Sequence, residues 1–351
     1  MKILYIGNAN FKDAGSTHFG YNTRIYNGLV RNGHYLYYFS DRDEVRTSSP
    51  FGMKNIGQRL ANQKLVRVAR YLRPDAIIMA HVNLIDEDTL RKIKRMLPDL
   101  RIARMNVDAL FYPQNRINLT KYSDVIDATF ITSGGPELST FSTPTQKFYF
   151  VPNITDTSID TGRAFAQTDP TYDLSCFMHN DRGADEALRL KIALDVQKAL
   201  PDLSLCYRGF NRNRNIRGNE YLVALQNSAM ALSLSRMTID GMPSTPATRY
   251  LYSSDRVAHV MGNGALAFIS DKFGLQDIYA QDEVAFFGNT EELIDKVRYY
   301  KQHPTERQMI AEKGWQKAHH EFNETIIMQY VLERLFDKPL SRDYAWPTHA
   351  Y

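Results

Sequence analysis

Short apolar runs alternate along the chain with longer stretches whose apolar residues recur every three or four positions. KILYIG (2–7) has the continuous apolar character of a strand buried on both faces. YNTRIYNGLVRNGH (21–34) has helical character and closes on a glycine, and YLYYFS (35–40) reads as the next strand. Ala61, Leu65, Val68, Ala69 and Leu72 fall at i, i+4, i+7, i+8 and i+11, one face of a packed helix that Pro74 stops. DAIIMAHVN (75–83) is a strand, Asp86 opens a helix ending near Pro98, and RIARMNVDA (101–109) and DATFITS (127–133) are further strands. Alternation at this spacing demands right-handed crossovers and a parallel sheet, so the first half reads as Rossmann-like.

KFYFVPN (147–153) ends a strand, and residues 154–171 are rich in Thr, Asp, Ser and Pro, as a linker is. The alternation then restarts. YDLSCFMH, DLSLCYRGF, MALSLS, GALAFIS (264–270) and EVAFF (283–287) are expected strands. Helices are expected over 184–199, from about 219, over 250–262, 290–301, 305–319 and 322–336. Asn289 with Glu292 three residues on is a helix-start signal. The prediction is an α/β protein with domains over 1–152 and 153–321, parallel sheets facing a central cleft, and a helix and tail (322–351) that cross back to the first domain.

Composition narrows the class without naming a chemistry. The chain has 351 residues, 43% hydrophobic and 23% charged, enough for two globular cores. A net charge of +4 is too small and too dispersed to argue for nucleic acid. Cys176 and Cys206 lie in apolar strand-like runs and read as buried reduced thiols. No apolar run reaches the 18 residues of a membrane span, and the first residues lack the pattern of a signal peptide, so the expected location is the cytoplasm. Residues 54–105 carry 12 Lys/Arg against 5 Asp/Glu, which reads first as a solvated basic face and second as a surface for peripheral contact with the anionic inner face of a membrane.

The second half carries a longer signature. The stretch RYLYSSDRVAHVMGNGALAFISDKFGLQDIYAQDEVAFFGNTEELIDKVRYYKQHPTERQMIAEKGWQKAHHEFN (249–323) resembles the nucleotide-sugar domain of GT-B glycosyltransferases, in particular the spore-maturation-type group related to families 1 and 4. VPNITD (151–156) is similar to their interdomain hinge, and PDAIIMAH (74–81) to the first-domain strand that ends in a His. The resemblance implies two Rossmann-like domains and glycosyl transfer from a nucleotide-sugar to a glycan or lipid-linked acceptor, as in cell-surface polysaccharide assembly. It implies no cofactor and no metal. One departure stands out. The two glutamates that families 1 and 4 carry eight residues apart correspond here to Leu251 and His259, with Asp255 one turn before His259 as a replacement carboxylate. The YLYSSDR–MGNG run is also similar to transferases of Kdo-like sugars carried on CMP, an alternative donor class. A relative that kept binding and lost catalysis is a further alternative.

Glycosyl transfer needs positive charge on the departing phosphate and a base near the acceptor hydroxyl. For the donor, Tyr250, Ser253, Ser254 and Arg256 lie where the 250–262 helix opens, and free N–H groups there favour a phosphate. His259 lies one turn on, and Asn263 and Gly264 close the helix, where glycine lets a ligand approach the backbone. Arg208 ends a strand and opens a basic loop whose Arg212, Arg214 and Arg217 read as solvated, and Arg236 ends another strand. Asp240 is a candidate catalytic carboxylate on the loop that follows. In the first half, Asn8, Gly15 and Ser16 lie on the loop after the first strand and are assigned to the acceptor. His81 and Asp108 end strands and are the catalytic candidates there. His319 and His320 are adjacent and so point different ways on a helix, which argues against a two-His metal site.

Overall fold

A computed structural model describes residues 1–110, 112–178, 184–209, 214–235 and 252–351. The chain divides into two compact units, Met1–Pro152 with Glu324–Tyr351, and Asn153–Asn323.

The first unit holds a six-stranded sheet: β1 (Lys2–Gly7), β2 (Tyr35–Ser40), β3 (Ala76–Ala80), β4 (Arg101–Asn106), β5 (Ala128–Ile131) and β6 (Lys147–Phe150). Every pairing is parallel, in the order β2-β1-β3-β4-β5-β6. The connecting helices are α1 (Tyr21–Arg31), α2 (Asp41–Thr47), α3 (Lys54–Leu72), α4 (Glu87–Met96) and α5 (Pro113–Thr120). Ile3 to Ile6 are fully buried, as are Ala76 to Ile78, because helices cover both faces of a parallel sheet. Each such aliphatic side chain contributes about 1.5–3 kcal/mol by leaving water. Leu4, Ile6, Leu65, Ile77, Ile93 and Ile102 form the centre of one core. The periodicity did not reveal α2 or α5. Val45 is the only buried apolar residue of α2, and Leu119 the only buried residue of α5, so neither carries a readable stripe.

The second unit holds β7 (Tyr172–Phe177), β8 (Leu205–Arg208), β9 (Ser228–Ser233), β10 (Leu266–Ser270) and β11 (Ala285–Phe287), all parallel, in the order β11-β10-β9-β7-β8. Its helices are α6 (Ala184–Ala199), α7 (Asn219–Gln226), α8 (Asp255–Gly262), α9 (Thr290–Gln302) and α10 (Pro304–His320). The Asn289 side chain accepts from Glu292 N–H at 2.9 Å, the cap that the sequence signals for α9. The α8 helix begins at Asp255, later than the expected 250–262. A second core gathers Leu174, Cys176, Leu232, Phe268, Phe287 and Leu293. Both cysteines are buried and free.

The last helix, α11 (Glu324–Leu335), lies in the first unit against α1, β4 and β5. Ile327, Met328, Tyr330 and Val331 are fully buried. Close approach is possible because position 28 is glycine: a Cβ there would stand 2.2 Å from the Glu324 carbonyl oxygen. Glu324 pairs with Arg31, and Asn32 donates to the Thr325 carbonyl at 2.9 Å.

Candidate functional site

Numbered within its own unit, each sheet has the strand order 2-1-3-4-5, and the first adds a sixth strand. The order reverses between β1 and β3 in one unit and between β7 and β9 in the other. In open α/β sheets ligands sit at such a reversal, beyond the carboxyl ends of the strands.

In the first unit a cavity of about 340 Å³ opens at the carboxyl ends of β3 and β4. His81 and Asp108 both line it, with Arg42, Arg104, Asn106 and Lys121. His81 follows β3 directly and holds φ at +53°, a left-handed conformation rare outside glycine and typical of residues positioned for function. The next turn is pinned by buried Asp41, whose carboxylate accepts from the N–H groups of Asn83 and Leu84 at 3.3 Å each. Burial pushes the Asp41 pKa up against those hydrogen bonds. Asp108 donates its backbone N–H to the Asn106 side chain at 2.7 Å.

Sequence reasoning missed Tyr21. Its ring meets His81 edge-on with centroids 5.8 Å apart, and its hydroxyl is buried with no hydrogen-bond partner among the described residues. Burial first and the Asp108 charge second push its pKa far above the usual value, so it keeps its proton. Its place at the start of α1, directly after the loop that follows β1, was the signal available. Of the residues assigned to the acceptor, Asn8 is buried and its side-chain oxygen accepts from Asn10 N–H at 3.2 Å. Gly15 is exposed at φ +77°, and its carbonyl lies 2.8 Å from His18 Nδ1. Ser16 donates its N–H to Asp13 at 3.0 Å. All three shape the loop after β1, and none lines the cavity.

In the second unit α8 follows β9, which places its N-terminus at the carboxyl rim of the sheet. Arg256, in the first turn, donates from Nη2 to the Leu234 carbonyl just beyond β9 at 2.8 Å. Its Nε and the nearby Ser233 Oγ are buried without hydrogen-bond partners among the described residues. Buried donors left unmatched at a sheet rim are what a ligand would satisfy. Ser254 occupies the N-cap position, yet its hydroxyl lies 3.3 Å from Asp255 Oδ1 and accepts from no helix N–H. Asp255 is exposed. Arg208 ends β8 half-buried and donates to the Tyr207 carbonyl at 2.9 Å. Arg214 pairs with Glu220.

Four of the donor candidates are engaged in packing. Ser253 is buried, and its carbonyl takes the Asn153 side-chain amide. His259 is buried with Nδ1 3.2 Å from the Tyr221 hydroxyl. Asn263 is fully buried: it donates to Asp160 (3.1 Å) and the His259 carbonyl (2.9 Å) and accepts from Gly162 N–H (3.2 Å). Gly264 sits at φ +79°, and a Cβ there would meet Ala164 N and Phe165 at 2.8 Å, so glycine admits the chain's own backbone rather than a ligand. Arg236, Asp240 and Tyr250 lie outside the described residues, as does Leu251. Among the described residues no three His, Cys, Asp or Glu side chains are grouped to hold a metal ion. No helix there is long and apolar enough to cross a membrane.

Residues 186–333 match the family model described as glycosyl transferase-like. No curated protein matches the sequence. Among solved structures, HepE of Anabaena with UDP is 11% identical, covering 96% of this chain and all of HepE at a TM-score of 0.51. Sucrose-phosphate synthase of Thermosynechococcus elongatus is 12% identical over 96% of this chain and 99% of its own, with a TM-score of 0.56. A glycosyltransferase of Rickettsia africae is 9% identical over 96% and 98%, with a TM-score of 0.54.

Proposed function

We infer that this chain, a glycosyltransferase by the family matched over 186–333 and by its GT-B fold, moves a sugar from a nucleotide-sugar to an acceptor hydroxyl. The match carries the reading, because the matched residues include Arg256. In the second unit the Arg256 guanidinium and the N-terminus of α8 take the nucleotide phosphates and stabilise the charge that develops as the glycosidic C–O bond breaks. HepE, solved with UDP-glucose, supports a uridine diphosphate donor. In the first unit Asp108 accepts the proton of the acceptor hydroxyl as that oxygen bonds to the sugar, while Tyr21 and His81 shape the wall beside it. The acceptor is a glycan or a lipid-linked glycan, and the reaction uses no resident metal or cofactor.

Thermal shift with UDP, GDP, ADP and CMP, followed by assay of the matching nucleotide-sugar, tests this. Stabilisation by UDP and slow donor hydrolysis are expected; no response to any of the four sinks the donor assignment. A non-catalytic nucleotide binder is the second reading. It is favoured by His259, which stands at one glutamate position of families 1 and 4 and is turned inward onto Tyr221. Binding without turnover of any donor would establish it.

A further inference from the structure

We propose that the cavity of the first unit is an oxyanion subsite, and that the acceptor therefore carries a phosphate or a carboxylate. The inference rests on the glycosyl-transfer reading and adds the chemical class of the acceptor.

Three cations, Arg42, Arg104 and Lys121, line the cavity against one carboxylate, Asp108. Neighbouring cations find acids: Arg46 with Asp43 at 2.6 Å, Lys64 with Glu44 at 2.6 Å, and Lys94 with Asp127 at 2.9 Å. Arg42 and Lys121 make no ion pair with any described residue. Buried Asp41 lies close enough to feel the Arg42 charge but spends its oxygens on backbone N–H groups. Arg104 is buried in the wall. It donates to the carbonyls of Asn118 (3.2 Å), Leu119 (2.7 Å) and Lys121 (2.9 Å), and Nε reaches Thr129 Oγ1 at 3.3 Å. Burial draws its pKa down to about 10, and it remains a cation at physiological pH with no carboxylate beside it. Its field and two cations without an ion-pair partner among the described residues line a space of ligand size. A neutral sugar would leave those charges uncompensated, whereas an oxyanion satisfies them with charge-assisted hydrogen bonds. It would also place a hydroxyl of the same ring within reach of Asp108.

The full chain is titrated with glucose 6-phosphate, glucuronate and neutral glucose by calorimetry, and with UDP in the same preparation. Wild type should take an anionic sugar at least about 10-fold more tightly than glucose, and Arg42→Gln and Lys121→Gln should each lose roughly 10-fold of that. Preference for glucose 6-phosphate identifies a phosphate, and preference for glucuronate a carboxylate. Equal affinity for all three sugars, or anion binding unmoved in both variants, overturns the proposal. Lys121 is exposed, so its variant tests the charge without risk to folding. A chain that takes the anionic sugar but no nucleotide overturns the donor reading and supports this one.

Discussion

Arg256 is where one side chain decides most. Its Nη2 donates to the Leu234 carbonyl, while its Nε is buried without a hydrogen-bond partner among the described residues, so removing it gives up one internal hydrogen bond and takes away the cation at the rim of β9. Arg256→Ala should weaken nucleotide binding by about 1.5–3 kcal/mol with folding retained, as hydrogen bonds to charged groups are worth; calorimetry showing unchanged affinity refutes the role. Asp108→Asn preserves shape and removes the proposed base, so kcat should fall about 10²–10⁴-fold with little change in donor KM. A rise in acceptor KM with kcat unchanged would mark Asp108 as a binding group. Cys176 is held near pKa 12 by burial, so a thiol reagent should ignore it in the native chain and label it after unfolding in urea.

Elements meet through backbone as much as side chains. Ala normally outranks Gly inside a helix by about 1 kcal/mol. At position 28 the sign reverses, because the added Cβ would press on the Glu324 carbonyl, which belongs to a neighbouring helix and cannot rotate away. Gly28→Ala should destabilise the first unit by about 1–3 kcal/mol, read as a lower thermal midpoint; a rise would show that α1 and α11 separate without cost. In the second unit Asp173, on β7, is drawn both ways. Burial raises its pKa, but Lys301 on α9 and Ser204 hold it below the usual carboxylate value. A depressed folded pKa gives stability that is present above the unfolded value near 3.8 and lost as pH falls through the folded one. Lys301→Met should therefore cost about 0.5–1 kcal/mol at pH 7 and progressively less below pH 4 in urea titrations. A pH-independent difference would place the effect in packing.

At the scale of the molecule the chain leaves the first unit after Pro152 and re-enters it at Glu324. The second unit has its own core, so a fragment spanning 153–323 should fold cooperatively by itself. The first unit needs α11, whose Ile327, Met328, Tyr330 and Val331 are fully buried, and a chain ending at 323 should lose the unfolding transition of that unit alone. Loss of both transitions would contradict this division. The basic first half also presents Met53, just before α3, and Ile56, Leu60 and Tyr71 along it to solvent. Peripheral membrane contact predicts co-sedimentation with vesicles rich in anionic lipid, reduced by Arg67→Glu and absent for neutral vesicles.

Alternating apolar runs and helical stripes were enough to place all eleven described strands and nine of the helices, because strands buried on both faces and packed helices must write their periods into the sequence. Helices α2 and α5 carried one buried apolar residue each and stayed unread. For the site, residue type and position at strand ends pointed to His81, Asp108 and Arg256, and only the tertiary structure showed which candidates line a cavity or sheet rim and which are packed. Asn263, Gly264, His259 and Ser253 have the right chemistry and are consumed by neighbours up to 103 residues away. Tyr21 had only its place after the β1 loop as a signal, and Arg42 and Lys121 had none, since what sets them apart is the lack of an ion-pair partner among the described residues. Periodicity is a property of consecutive residues, whereas satisfaction of a polar group depends on which distant segments the fold brings against it.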